Sequence, residues 1–307
     1  KAIRDWDRKK IGLSYSSPTL RLWHQHSTGR IGHGPLYHFP IFELDEFTPQ
    51  EKYALSNAET IIVCTDWAKQ VCISNGFDEN KVKVCPLGVD QSIFKPRTKP
   101  VGDKYIFAAG GKMSLNKGYD VLAEIFNKAF TIKDNVELFI FGYNPFLNEQ
   151  QTKAWIKLFK DSPMGGHIKF FPPFATQAEL AFNLAKADAF IAPNRAEGLN
   201  LVLLEAMSIG LPAIATFYSG HTQYLTKENA YLVDITDKEI AFDNQFFTAN
   251  IGSWAKIDKP QIDQFVDHMQ YLYNNRINSN PEGIKTAQSM SWSNSARILS
   301  SIIFPAN

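Results

Sequence analysis

The chain has 307 residues, enough for two domains, and its 44% hydrophobic content supports sizeable buried cores. Its 32 basic and 31 acidic residues leave a formal net charge of +1, which excludes an electrostatic case for nucleic acid or a strongly anionic surface as partner. No apolar run is long enough to span a bilayer, and the charged residues 1–10 do not read as a signal peptide. Cys64, Cys72 and Cys85 are odd in number and lack Cys-x-x-Cys spacing, so they read as reduced core thiols of a cytoplasmic protein.

In chain order, residues 11–18 and 30–39 read as strand-like stretches that end in loops. Residues 48–57 read as a helix, with a capping box at Thr48 and Glu51 and Pro49 in its first turn. A buried strand over 60–64 precedes a helix over 65–75, capped by Thr65 or Asp66 and stopped by Gly76. Residues 81–86 read as another strand, followed by Leu87-Gly-Val-Asp and Phe94-Lys-Pro. Residues 96–104, with Pro96 and Pro100, read as a linker.

Beyond it, residues 105–110 read as a strand and 118–130 as an amphipathic helix, apolar at Val121, Leu122, Ile125, Phe126 and Ala129. Between them, Gly110 and Gly111 allow a tight turn close to a ligand, and Lys112 and Lys117 supply point charges suited to a diphosphate. Alone, such a segment is ordinarily a solvated lysine loop. A strand at Ile168 leads into Phe171-Pro-Pro-Phe. Residues 187–191 then read as a buried strand, 194–198 as its exit loop, 200–209 as a helix closed by Gly210, and 213–216 as the next strand. This is one strand–loop–helix–strand unit of a parallel sheet. A last helix spans 292–303.

Glu197 falls on the exit loop at the carboxyl end of a strand, where open α/β sheets bind ligands. Glu205 lies inside the following helix, and Gly198 and Asn200 leave backbone N–H groups at its start, which favour an anion. Either acid alone reads as ordinary helix composition. Two acids and an anion site facing one crevice suit a ligand with hydroxyls and phosphates, as in a nucleotide diphosphate sugar.

The complete string from Pro193 to Pro212 resembles the E-x7-E signature of retaining glycosyltransferases, specifically the glycogen synthase and mannosyltransferase-like family (glycosyltransferase family 4). The family pattern is E-G-[F/x]-[G/x]-L-x-x-x-E-A-M-x-x-G-x-P, and Asn200 stands where its second Gly is usual. Residues 110–118 are similar to the family's G-R-x-x-x-x-K-G, with Lys112 where Arg is usual. That keeps the charge without the bidentate fork.

The resemblance implies an α/β fold of GT-B type, with two Rossmann-like domains facing a cleft. Residues 1–95 would be the acceptor-side domain, 105–290 the donor-binding domain, and 291–307 a terminal helix crossing back to the first. About 95 residues precede the linker where such a domain usually needs roughly 150. The first domain therefore reads as short, or as continuing upstream of this sequence.

By the same resemblance, a UDP- or GDP-sugar donates a hexosyl-type group, with retention, to a glycan, lipid-linked or small-molecule acceptor, with no cofactor and no metal. Glu197 is expected on the transferred sugar, Glu205 on the ribose, and Lys112 and Lys117 on the diphosphate. Gly110, Gly111, Gly198, Leu199, Asn200 and Leu201 line it, with Pro173 beside the base. The Phe171-Pro-Pro-Phe turn reads equally well as a plain strand exit. The family often places a first-domain His near the donor sugar, and His26, His33 and His38 are the candidates. His24 and His26 alternate as a metal pair would on a strand, but no third ligand accompanies them, and there is no Asp-x-Asp motif. His167, His221 and His268 read as surface or core residues. The alternative from another class is a non-catalytic nucleotide-sugar-binding protein. A related epimerase or phosphorylase is disfavoured by the E-x7-E string and by the lack of a pyridoxal-lysine context at Lys117.

Overall fold

The computed structural model describes residues 16–26, 33–99 and 102–305. Residues 11–15 and 30–32 of the two expected N-terminal strands lie outside these, as do residues 100 and 101 of the expected linker.

The first sheet has four parallel strands in sequence order: β1 (Thr19–Trp23), β2 (Leu36–Pro40), β3 (Thr60–Val63) and β4 (Val82–Val84). β1 thus starts after the expected stretch 11–18, where the β-branched and apolar run Thr-Leu-Arg-Leu-Trp begins. β2 starts later than expected because Gly34 and Pro35 hold a turn first. A Cβ on Gly34 would lie 2.1 Å from the Ser17 carbonyl oxygen. Helix α1 (Pro49–Ser56) carries the capping box at Thr48 and Glu51. In α2 (Asp66–Ser74) the cap is Thr65, whose hydroxyl accepts from the Ala68 N–H at 3.1 Å.

The second sheet has six parallel strands in the order β10-β9-β8-β5-β6-β7: β5 (Tyr105–Gly111), β6 (Val136–Gly142), β7 (Ile168–Phe170), β8 (Ala189–Ala192), β9 (Ala213–Thr216) and β10 (Tyr231–Val233). All residues of β8 and β9 are buried, as in a sheet covered on both faces. α3 (Tyr119–Ala129) packs one face through Val121, Leu122, Ile125 and Phe126. α6 (Leu201–Ile209) is buried at every position from 203 to 209. A helix apolar on all sides must be enclosed, and α6 lies among β5, β8, β9, α5 (Gln177–Leu184) and α8 (Pro281–Ser289).

Several elements went unread in the sequence: α4 (Glu149–Lys160), α5, α7 (Lys259–Asn274), α8, and the antiparallel pair β11 (Lys238–Ile240) and β12 (Ser253–Ala255). α7 and α8 do carry start signals, namely an Asp258–Gln261 capping box and an Asn280 cap ahead of Pro281. α9 (Trp292–Ile303) lies on the first sheet's side. Its Ser295 hydroxyl donates to the Pro86 carbonyl at 2.6 Å, and the Tyr37 hydroxyl donates to Ile303 at 3.4 Å. Cys64, Cys72 and Cys85 are free and buried, and burial pushes the Cys64 and Cys72 thiols up to about 12.

The strand order fixes where a ligand crevice opens. The chain passes from β5 to β6 on one side and returns to β8 on the other, so the exit loops of β5 and β8 part at a topological switch point. Gly118 joins those two loops. It sits at φ +70, and a Cβ there would lie 1.8 Å from the Pro193 carbonyl oxygen. Gly118→Ala is therefore expected to cost more than about 2 kcal/mol in urea unfolding. Gly76→Ala, at φ +95 with nothing within 4 Å, should cost only about 1 kcal/mol. Equal losses would show that the Pro193 contact does not constrain the loops.

Candidate active site

The β5 exit is built for close approach. A Cβ on Gly110 would lie 2.8 Å from Val202 Cγ1 on the first turn of α6, and Gly111 takes φ +113. A 3-10 turn at Leu115–Lys117 then delivers Asn116 and Lys117 into the crevice. The Lys117 ammonium meets Glu197 at 2.7 Å and Glu43, on the exit loop of β2, at 2.6 Å. The second Glu43 oxygen accepts from the Asn116 amide at 2.8 Å. One cation thus lies between carboxylates from both halves of the molecule. Burial alone would pull the Lys117 ammonium down, but Glu197 and Glu43 hold it above the usual lysine range. Burial pushes the Glu197 carboxyl up, against the pull of Lys117, and the Glu43 charge adds to the rise.

Glu197 is fixed from several sides. Its N–H donates to the Ser219 hydroxyl at 2.9 Å, its carbonyl accepts from Gly220 at 3.0 Å, and its carboxylate accepts from the Asn194 amide. Arg195 beside it makes a two-pronged ion pair with Asp120 on α3, at 2.7 Å in each prong. The Arg195 backbone N–H also donates to Asn116 at 2.8 Å, tying the β8 loop to the β5 loop. Gly198 touches the first half: a Cβ there would lie 3.1 Å from Ile41 Cγ2, and the Cys64 thiol donates to the Gly198 carbonyl at 3.2 Å.

Asn200 caps α6 from a left-handed conformation, φ 71, which is open to Gly and accessible to Asn. Its side-chain oxygen accepts from the Leu203 N–H at 3.1 Å, and its amide nitrogen lies 2.9 Å from His221 Nε2. His221 Nδ1 lies 2.8 Å from the Thr216 carbonyl, which can only accept, so the proton is assigned to Nδ1 and Nε2 accepts from Asn200. Burial holds His221 down to about 4, which keeps it neutral. It is therefore part of the site's scaffold rather than a plain core residue.

Glu205 points from the apolar α6, and desolvation pushes its carboxyl up to about 7. Lys112 stands apart from the Lys117 cluster, its ammonium 5.3 and 5.7 Å from the ring centroids of Phe246 and Phe146. Pro173 lines a cavity of about 300 Å³ together with Phe141, Tyr143, Phe171 and Phe174. Leu199 is buried, and Leu201 opens α6. His24 and His26 follow β1 on a turn with stacked rings, centroids 5.6 Å apart, rather than sharing a strand face. His38 is fully buried inside β2, and its imidazole is pushed down to about 4 by burial and by Arg21. From the first sheet it is Glu43, unread in the sequence, that reaches Lys117. Its only signal was its place on a strand's exit loop. Asn116, Asn194 and the Arg195–Asp120 pair had no spacing signature at all.

Residues 103–245 match the family described as glycosyl transferases group 1. That segment holds the strands from β5 to β10 and the loops that carry Lys117 and Glu197. The chain is similar to the phosphatidylinositol N-acetylglucosaminyltransferase GPI3 subunit of Saccharomyces cerevisiae, at 25% identity over 236 residues covering 68% of this chain and 51% of that protein. It is also similar to the putative colanic acid biosynthesis glycosyltransferase WcaL of Salmonella typhimurium, at 22% over 232 residues, 73% of this chain and 54% of that one. The chain thus spans about half the length of these curated relatives. Among solved structures, sucrose-phosphate synthase from Thermosynechococcus elongatus superposes with a TM-score of 0.67 at 16% identity, covering 89% of this chain and 68% of that one. Anabaena HepE in complex with UDP gives 0.67 at 15%, covering 88% and 72%. The fold is GT-B, and the segment that matches the family lies in its six-stranded half.

Glu205 gives this domain a pH signature. Its folded pKa of about 7 lies above the ordinary 4.5, so between those pH values it stays protonated in the fold while ionised in the unfolded chain. Stability from this group is present below about pH 4.5 and is lost as pH rises to about 7. Glu205→Gln should therefore gain, at pH 8 relative to pH 4, on the order of 2–3 kcal/mol over the parent in urea unfolding. The same difference at both pH values would mean that Glu205 ionises freely in the folded protein.

Proposed function

We propose that the protein transfers a hexosyl-type group from a UDP- or GDP-sugar to a hydroxyl acceptor, with retention at the anomeric carbon. The observation that carries this reading is the Lys117–Glu197 contact of 2.7 Å at the sheet switch point, beside the start of α6. A cation suited to a leaving diphosphate lies against a carboxylate suited to sugar hydroxyls. The relatives' names, a GlcNAc transferase subunit and a putative polysaccharide glycosyltransferase, support the same reaction class.

In the proposed reaction the bond between the anomeric carbon and the diphosphate oxygen lengthens first. Negative charge gathers on the departing diphosphate while the sugar becomes oxocarbenium-like. Lys117, Lys112 and the N–H groups at Gly198, Leu199, Asn200 and Leu201 stabilise the departing charge from fixed positions. Gly110 and Gly111 let the backbone approach the phosphates. Glu197 accepts hydrogen bonds from the transferred sugar, Glu205 from the ribose, and the Pro173 cavity takes the base. The acceptor hydroxyl attacks from the face the diphosphate leaves and passes its proton to the departing diphosphate oxygen, without a protein nucleophile, so configuration is retained. The acceptor is a glycan, a lipid-linked sugar or a small molecule.

The glutamate roles separate in one experiment. Glu197→Gln should depress kcat strongly while leaving calorimetric affinity for bare UDP or GDP nearly unchanged, because its contact is made to the sugar. Glu205→Gln should weaken the bare nucleotide itself. If Glu197→Gln loses the nucleotide and Glu205→Gln does not, the assignments are reversed. Lys117→Ala should cost roughly 1.5–3 kcal/mol in nucleotide diphosphate affinity, the worth of one charge-assisted hydrogen bond. Retained affinity would remove Lys117 from the diphosphate site.

The diphosphate charges are met by side chains and a helix terminus, so turnover should persist in EDTA. Complete loss restored by Mn or Mg would replace that picture with a carboxylate–metal site.

A further inference from the structure

We propose that Glu43 is a counter-ion that the donor diphosphate displaces from Lys117, so that a first-domain carboxylate sets how tightly the second domain holds its donor. The inference rests on the donor reading above. Lys117 is one ammonium between two carboxylates, Glu43 at 2.6 Å and Glu197 at 2.7 Å, and with both ionised the cluster carries one excess negative charge. A diphosphate brings further negative charge to the same ammonium. Three anions around one buried cation repel one another more than the cation offsets, so one carboxylate has to leave.

The surroundings decide which one. The Glu197 side chain is 9% exposed and held by Asn194, with its backbone fixed by Ser219 and Gly220. Moving it off Lys117 would strand a carboxylate without a cation in a buried site, the costly case. The Glu43 side chain is 21% exposed and borders a cavity of about 180 Å³ between Phe42 and Phe47 on one side and Phe246 and Phe247 on the other. It can therefore turn toward water and keep most of its hydration. Its backbone need not move, because the neighbouring Asp45 independently pins the loop to Lys238 and to the Ser253 N–H, each at 2.6 Å. The two halves stay joined while one side chain exchanges.

Exchange makes Glu43 a positioning residue acting through Lys117, and removing its charge should tighten the donor. Calorimetry with UDP and with GDP on the parent, Glu43→Gln, Glu43→Asp and Asp45→Asn tests this, alongside steady-state kinetics with the sugar donor that is turned over. Glu43→Gln is expected to tighten the better-bound nucleotide diphosphate about tenfold and to lower the donor KM without raising kcat. Asp45→Asn, which loosens the same interface without touching Lys117, should leave the affinity unchanged. Glu43→Asp, too short to reach Asn116 and Lys117 together, should tighten the nucleotide to an intermediate degree, and it carries the test if the Gln variant does not fold. Unchanged or weakened affinity in the Glu43 variants overturns the proposal while leaving the donor site in place. Parent protein that binds neither UDP nor GDP overturns the donor reading itself.

Discussion

The arrangement depends on one buried ammonium. Lys117 and Glu197 are each almost fully buried, and neither charge is tolerable there without the other. Removing one partner of such a pair commonly costs about 3–5 kcal/mol, because the survivor stays buried and unpaired. The pair forms because β5 and β8 are neighbours, and Gly118 has no side chain to hold their exit loops apart. Sheet topology, a missing methyl group and an ion pair are thus one constraint seen at three scales. Glu43 extends it across the cleft, so the relation of the two halves and the state of the β5 exit loop are coupled through the same nitrogen.

The second constraint is backbone direction at the start of α6. The chain must turn through a left-handed residue for the helix N-terminus to face the crevice, and Asn200 does this at φ 71. Gly would adopt that conformation with less strain. Asn compensates with its side chain, which caps Leu203 and receives support from neutral His221, itself held by Thr216. Asn at this position therefore replaces the conformational freedom of Gly with a hydrogen-bonded relay. A neutral histidine is required in it, since a charged one would have no lone pair to accept from Asn200.

What was legible in the sequence follows from how local each feature is. The unit from β8 to β9 could be read almost residue by residue, because buried apolar runs, an Asn cap and a Gly stop are all short-range signals. The same holds for the capping box of α1. Glu43 could not be read as a partner of Lys117, 74 residues away, because nothing in either segment encodes the contact. It arises only when one domain's strand exits are packed on the other's. Arg195 and Asp120, 75 residues apart, are a similar case. Of the three candidate histidines, His38 lies on the strand itself, in the core, whereas Glu43 lies on the loop beyond it.

The two lysines of the β5 exit loop differ in how they are held, and that bears on the affinity of the proposed donor. Lys117 is surrounded by carboxylates, while Lys112 rests over the rings of Phe146 and Phe246. On the proposed donor reading, a diphosphate reaching this loop exchanges partners rather than meeting free cations, and the net gain is smaller than the gross attraction. The two exchanges are unequal. A cation leaving an exposed aromatic face gives up about 0.5–1 kcal/mol, whereas one leaving a buried carboxylate gives up considerably more. An Arg in place of Lys112 would stack better on the same rings as well as grip phosphate better, so both sides of its exchange would rise together. On the proposed donor reading, lysine at this position keeps the hold on the rings weak and leaves the ammonium readily released to the phosphates.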